Sequence, residues 1–241
     1  MPQPLSSAYP RGTGVATGSH HLVQRPALLP HIMRVISNGS ICESIAGEIL
    51  VDMLGSEMRV GAAMYAPLIN WEIRKGMLQA AAEVALSNDE LELLRAVLTI
   101  TKSSQKRRNE FVHHLWGVIM GVQDALILVN PRDYLKGDAA ERERVAAIEG
   151  PTVPKSWVPD EKIMVYTEAD LKREAEDSDD AARLWRHLQR ALTRRDTPLK
   201  ASTRTVLLSD PRIQRELQPK TSESAPHGPD SPRAETPRER T

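Results

Sequence analysis

An apolar stripe with helical spacing begins at Ile41 and recurs at every fourth position as far as Met53. Residues four apart lie on the same face of an α-helix, so the stripe predicts an amphipathic helix that buries one side. Just before it, Ser40 and Glu43 have the spacing of a capping box, in which each side chain accepts from the other residue's amide. We therefore expect the first ordered helix to begin near Ser40.

The composition favours further helices over a β-sandwich or barrel. Aromatic residues make up only 4% of the chain, with a single Phe, so a core has to be built from Leu, Ile, Val, Met and Ala. A second helix is predicted after Asn70, with Ile73, Met77, Ala80 and Val84 on one side. Ser87 and Thr167 each begin a further capping box, and each predicts the start of another helix.

These patterns predict an all-α fold, a bundle of four to five helices. Its minor β element is at most a hairpin within 125–167, where the short apolar runs Ala125–Asn130 and Ile163–Thr167 are suited to antiparallel pairing. The helical domain is expected at 32–196, with a motif region at 88–120 and a C-terminal helix at 168–195.

Both ends of the chain differ from this domain in composition. Residues 1–31 are rich in Pro, Gly, Ser and Thr without apolar periodicity, which is typical of a flexible arm. Residues 197–241 lose the helical periodicity and become rich in proline, which predicts a disordered tail.

The sequence indicates a protein of the cytoplasm that is not embedded in a membrane. One cysteine, Cys42, cannot form an intrachain disulfide, and the N-terminus lacks the features of a secretory signal. No apolar run approaches the roughly 20 residues needed to cross a bilayer. The 32 basic and 32 acidic residues balance, so net charge favours no particular partner. We expect no metal and no cofactor, since neither metal-ligand spacing nor a phosphate-binding glycine loop occurs.

The candidate chemistry is concentrated in the sequence QKRRNEFVHHLWG, residues 105–117. Arg108 offers a fixed cation that suits a phosphate, Asn109 can orient a neighbour, and His113 can exchange a proton near neutral pH. An arginine and a histidine are a sensible minimum for RNA cleavage without metal, the histidine as acid or base and the arginine as a stabiliser of charge. Lys106, Arg107 and His114 are the candidate nucleic-acid-binding residues beside them.

Helix geometry leaves two arrangements open for this motif. On one continuous helix, Asn109 and His113 share a face, whereas Arg108 and His113 are about 140° apart. The pair converges if a helix begins at the motif, after a break in the polar run 101–105, or if a second copy brings its own motif alongside. The second arrangement predicts a symmetric homodimer with a composite site.

The segment Arg108–His113 resembles the R-x4–6-H motif of the HEPN superfamily, in the form arginine, polar residue, three variable residues, histidine. The preceding helices and the LWG sequence at 115–117 are similar to those of small bacterial proteins of this type, and the resemblance covers about Ile32 to Asn130. In the family a glycine often follows the motif histidine. Here His114 takes that place, and its side chain either narrows the cleft in which the family's motifs lie or points outward.

The resemblance implies a dimeric helical protein with the paired motifs in a cleft between subunits. Many members are metal-independent endoribonucleases, often toxins or defence effectors, and others are non-catalytic binding or scaffold domains. On that pattern Arg108, Asn109 and His113 would be catalytic, RNA would be the substrate, and an antitoxin-like protein would be a candidate partner. The alternative is a non-catalytic dimeric interaction or RNA-binding module.

Overall fold

The computed structural model describes residues 1–18, 20–68, 70–147, 158–193 and 198–218. Helices dominate these residues, and a 3-10 turn at Asp160–Lys162 accompanies them. The helices are α1 (Leu5–Ala8), α2 (His20–Val23), α3 (Leu29–Leu54), α4 (Met58–Tyr65), α5 (Trp71–Ala85), α6 (Asn88–Ile100), α7 (Lys102–His113), α8 (Pro131–Ala146), α9 (Glu168–Leu192), α10 (Pro198–Ser209) and α11 (Pro211–Leu217). The prediction of a mainly helical protein is confirmed.

The all-α class is wrong in one respect, because five strands form an antiparallel sheet. They are β1 (Gln3–Pro4), β2 (Val15–Thr17), β3 (Leu115–Ile119), β4 (Ala125–Val129) and β5 (Ile163–Thr167), in the order β1-β5-β4-β3-β2. The expected hairpin is its centre, where β4 pairs with β5 and Ala125 lies opposite Thr167. The sheet exceeds a hairpin because each of these strands has a further hydrogen-bonded neighbour.

The N-terminal residues differ most from their prediction as a flexible arm. They supply both edge strands, since Gln3 lies opposite Val165 at one edge and Val15 lies opposite Ile119 at the other. Leu5 is buried against the outer face of the sheet. Strands of two and three residues are too short to show alternation, so their pairing could not be recognised in the sequence.

The longest helices form the main packing layer. α3 lies along α9 and also contacts α4, α5 and α7. α3 begins at Leu29, so the capping box expected at Ser40 is wrong: the Ser40 hydroxyl lies within the helix and donates to the carbonyl of Ile36. The capping boxes at Ser87 and Thr167 are confirmed.

The sheet has two covered faces, as the alternation of its strands dictates. Leu126 and Leu128 of β4 face a cluster with α3, α7 and α9, whereas Ile127 and Val129 face the opposite cluster around Leu5. A separate helical core joins α3, α5, α6 and α9 around the fully buried Trp185.

The motif region 88–120 is three elements rather than one helix. α6 ends at Ile100, α7 begins at Lys102, and the chain enters β3 at Leu115. Thr101 marks the break, and its buried hydroxyl accepts a hydrogen bond from Trp185 Nε1 at 3.2 Å.

A helix is present where the C-terminal helix 168–195 was expected, as α9, and its predicted apolar side is buried, but two further helices follow it. Within the expected tail 197–241, residues 198–218 form α10 and α11 instead, with Leu207 and Ile213 buried. Residues 219–241 lie outside the described residues.

The predicted apolar side of α5 is the exposed side. Ile73 is 54% exposed and Val84 is 90% exposed, while Leu78 and Ala82 make the contact with the core. The stripe on α5 therefore has no partner within the described chain.

Glycine at position 117 is required by the approach of β2. A Cβ at Gly117 would overlap the carbonyl oxygen of Ala16, which is backbone and cannot rotate away.

We expect Gly117→Ala to lower the free energy of unfolding by about 1–3 kcal/mol through this overlap. Gly76→Ala is the matched control, because nothing lies within 4 Å of its Cβ position and alanine should stabilise the exposed helix by ~0.5–1 kcal/mol. Urea denaturation of both variants checks the opposite signs; a loss of the same size in both would contradict this.

Candidate functional site

The end of α7 fixes the position of the motif. The helix stops at His113, His114 is extended, and β3 begins at the next residue. Across this turn Trp116 Nε1 donates to the carbonyl of Phe111 at 2.9 Å. The final turn of α7 is therefore held directly against the sheet.

A pocket of about 470 Å³ lies along one face of α7, and we call it the motif pocket. Its other walls are the end of α6 and the first turns of α5. The lining residues are Trp71, Glu72, Lys75, Leu98, Thr101, Lys102, Gln105, Lys106, Asn109, Glu110, His113 and His114. Three lysines and two glutamates give the pocket a small excess of positive charge.

Asn109 and His113 both line the motif pocket, as expected for residues one helical turn apart. His113 is exposed, and Asn109 is half-buried. The structure thus brings together two of the three candidate catalytic residues within one chain.

Arg108 lies behind Asn109 and is absent from the pocket lining. Its Nη1 donates to Asn109 Oδ1 at 3.0 Å and lies 3.4 Å from Glu43 Oε1. A Cβ at Gly39 would overlap the Arg108 side chain, so glycine allows the arginine to lie against α3. With Oδ1 engaged by Arg108, the Nδ2 group of Asn109 remains as a donor.

Glu43 joins Arg108 to a second cation. Its Oε2 accepts from Arg74 Nη1 at 2.9 Å, and all three side chains are less than a fifth exposed. Sequence reasoning assigned Glu43 to a helix cap and did not identify Arg74. The pair is separated by 31 residues, and no local pattern connects them.

Arg107 turns away from the motif pocket and into the protein. Its Nη1 donates to Glu110 and to the hydroxyl of Tyr166, each at 2.6 Å, and its Nε lies 3.1 Å from Glu174. Burial raises the pKa values of Tyr166 and Glu174, and the guanidinium beside them opposes that rise. Arg107 thus ties α7 to β5 and α9.

Lys106 is the residue of the basic triplet that faces solvent. Its side chain is 80% exposed and lies 3.8 Å from Glu110. The pocket wall also contains Lys75 and Lys102, which sequence reasoning did not select. The polar run around Lys102 indicated a break in the helix, but the position of α5 opposite it could not be read from the sequence.

His114 lines the motif pocket and also a second cavity, of about 310 Å³. We call this cavity the sheet groove; it is lined by Thr17, Gly18, Leu22, His114, Leu115, Trp116 and Tyr134. Burial, together with nearby His113 and Arg107, lowers the pKa of His114, although Glu110 and Asp133 oppose the shift. Its ring is therefore neutral over a wider pH range than an ordinary histidine.

The described residues contain no group of three or more His, Cys, Asp or Glu side chains arranged to hold a metal ion. None of the described helices is both long and apolar enough to cross a membrane.

Removing the Glu43 carboxylate should destabilise the fold around the motif. We expect Glu43→Gln to lower the free energy of unfolding by about 3 kcal/mol, because two largely buried guanidiniums lose their counter-charge. Glu83→Gln is the control: its pair with Arg95, at 3.1 Å, is more than half exposed, so its loss should cost less than about 1 kcal/mol. Equal losses in urea denaturation would contradict a structural role for Glu43.

Comparisons of the chain with protein-family models, with curated proteins and with solved structures gave no match.

Proposed function

We propose that this protein is a metal-independent endoribonuclease with a HEPN-like helical bundle, and that the motif pocket is its active site. One observation carries the proposal: Asn109 and His113 stand one helical turn apart on the wall of a pocket that also contains three lysines. Proton transfer, hydrogen-bond donation and positive charge are the requirements of RNA cleavage without metal.

The chemistry uses the 2′-hydroxyl of the RNA as the nucleophile. As general base, His113 removes its proton, and the oxygen attacks the adjacent phosphorus. The bond from phosphorus to the 5′-oxygen breaks, which leaves a 2′,3′-cyclic phosphate and, once that oxygen takes up a proton, a 5′-hydroxyl. Asn109 Nδ2 and Lys106 donate to the phosphate oxygens as charge develops on them.

Arg108 acts on this site through Asn109 and does not itself line the motif pocket. Its hydrogen bond to Asn109 Oδ1 orients the amide and leaves Nδ2 to face the phosphate. Direct contact between Arg108 and the phosphate would require the guanidinium to exchange its Glu43 partner for the substrate. In either role its positive charge favours the anionic transition state.

The proposed active site also includes a second copy of the chain. His113 is exposed, and Val112 beside it is 41% exposed, so this end of α7 is open to another subunit. A symmetric homodimer that pairs two motifs would supply the partner's His113 as the acid that protonates the leaving oxygen. The cellular role proposed for such a nuclease is that of a cytoplasmic toxin or defence effector, restrained by an antitoxin-like protein.

Replacement of the catalytic histidine provides the direct test. We expect the purified chain to cleave RNA in EDTA and His113→Ala to lower the rate by at least ~100-fold, the contribution of a positioned acid or base. Leu199→Ala is the control, because Leu199 is 63% exposed on α10, away from α7, and does not line the motif pocket. Rates come from gel analysis of a labelled RNA, with circular dichroism to establish folding. Cleavage unchanged in His113→Ala would exclude the assignment.

A second candidate function is a non-catalytic dimeric interaction module. The observation that favours it is the exposed apolar stripe of α5, where Ile73 is 54% and Met77 is 37% exposed. A helix face of this kind commonly forms a protein contact. Absence of cleavage at every protein concentration, with a dimer that dissociates in Met77→Glu, would support the module over the nuclease.

A further inference from the structure

The sheet groove differs in chemistry from the motif pocket, although the two share His114. Apart from that histidine, its lining contains no ionisable group except the Tyr134 hydroxyl. Tyr134 contributes an aromatic ring, Leu22 is apolar, and the Thr17 side chain offers a hydroxyl. The Trp116 ring itself is buried against Phe111 and Tyr166. The lysines and glutamates line the motif pocket, whereas Tyr134 lines the sheet groove.

The two cavities match the two parts of a nucleotide. A sugar–phosphate backbone needs cations and polar donors, whereas a base needs a ring to stack on and a few neutral hydrogen-bonding groups. The sheet groove, at about 310 Å³, is large enough for a nucleobase.

The groove is built on fixed elements. α8 follows β4 directly, with Asn130 as its N-cap: the Asn130 side chain accepts from the amide of Arg132, and Pro131 fills the first helical position. Tyr134, in the first turn of this helix, is half-buried and packs on the outer core of the sheet. On the opposite wall, Thr17 belongs to β2 and pairs with Gly117. A ring held in this way loses little entropy on binding.

We propose that the sheet groove is a nucleobase subsite, which receives a base flanking the scissile phosphate while the backbone lies in the motif pocket. This inference rests on the proposed function, because it takes single-stranded RNA as the ligand. His114 is the boundary of the two sites and is suited to contact the base as a neutral ring. The subsite would give the nuclease a dependence on the base at one position beside the cut.

The test measures the contribution of each base to binding by the full-length chain. The probe is a short fluorescent RNA with 2′-fluoro groups, which cannot be cleaved through a 2′-hydroxyl, and it is compared with a series that carries one abasic position each. We expect one abasic position to weaken binding by about 10-fold in the wild-type chain, as loss of one stacked base does. Fluorescence anisotropy gives the dissociation constants.

Two variants address the groove, and two serve as controls. Tyr134→Ala removes the ring and Thr17→Phe fills the cavity, so each should reduce the abasic effect to less than about 2-fold. Tyr134→Phe keeps the ring and should retain the effect. Leu135→Ala should retain it too, because Leu135 follows on the same helix, is 65% exposed and does not line the groove. Thermal unfolding establishes that every variant is folded.

The outcomes separate this inference from the proposed function. Cleavage that depends on His113, together with a wild-type abasic series that shows no sensitive position, overturns the subsite alone. The subsite alone is also overturned if Tyr134→Ala and Thr17→Phe both keep the wild-type loss of binding at the abasic position. A chain that neither binds the probe nor cleaves RNA overturns the proposed function and the subsite together.

Discussion

Three aromatic rings hold the motif helix against the sheet. Phe111, the single phenylalanine, lies 5.0 Å from Trp116 and 5.4 Å from Tyr166 between ring centroids, and both contacts are edge-to-face. The rings come from α7, β3 and β5, and all three are buried. This contact packs one side of the end of α7 against the sheet, while Asn109 and His113 line the motif pocket. Three of the few aromatic residues in the chain thus lie at the junction of its helices and its sheet.

The three consecutive cations of the motif, Lys106, Arg107 and Arg108, lie in three different environments because they point in different directions from α7. Arg107 is drawn inward by Glu110, Glu174 and the Tyr166 hydroxyl, where it reinforces the aromatic junction. Arg108 is held against α3 by Glu43 and reaches the site through Asn109. Lys106 alone of the three extends into solvent at the pocket. A run that looks like one basic patch in the sequence thus separates into a structural cation, a positioning cation and a candidate substrate contact.

Local patterns predicted the elements whose determinants are local. The capping boxes at Ser87 and Thr167, the buried side of α9 and the pairing of β4 with β5 all follow from residues a few positions apart. Local patterns could not predict the edge strands β1 and β2. These strands are stabilised by hydrogen bonds to distant strands and are too short to show alternation. The shared face of Asn109 and His113 followed from helix periodicity, whereas the Glu43–Arg74 pair and the wall formed by α5 depend on tertiary packing. The stripe predicted as the apolar side of α5 faces solvent, and Leu78 and Ala82 pack on the core instead, because periodicity alone does not say which side of a helix meets the core.

The motif pocket is proposed to activate a 2′-hydroxyl without a metal ion. An RNA that carries a single 2′-deoxy nucleotide at the mapped cleavage position, incubated with the chain in EDTA, lacks that nucleophile. We expect this RNA to remain uncut at that position, while the all-ribose RNA yields a 2′,3′-cyclic phosphate and a 5′-hydroxyl. Cleavage that continues at the deoxy position, or products that end in a 3′-hydroxyl and a 5′-phosphate, would contradict it.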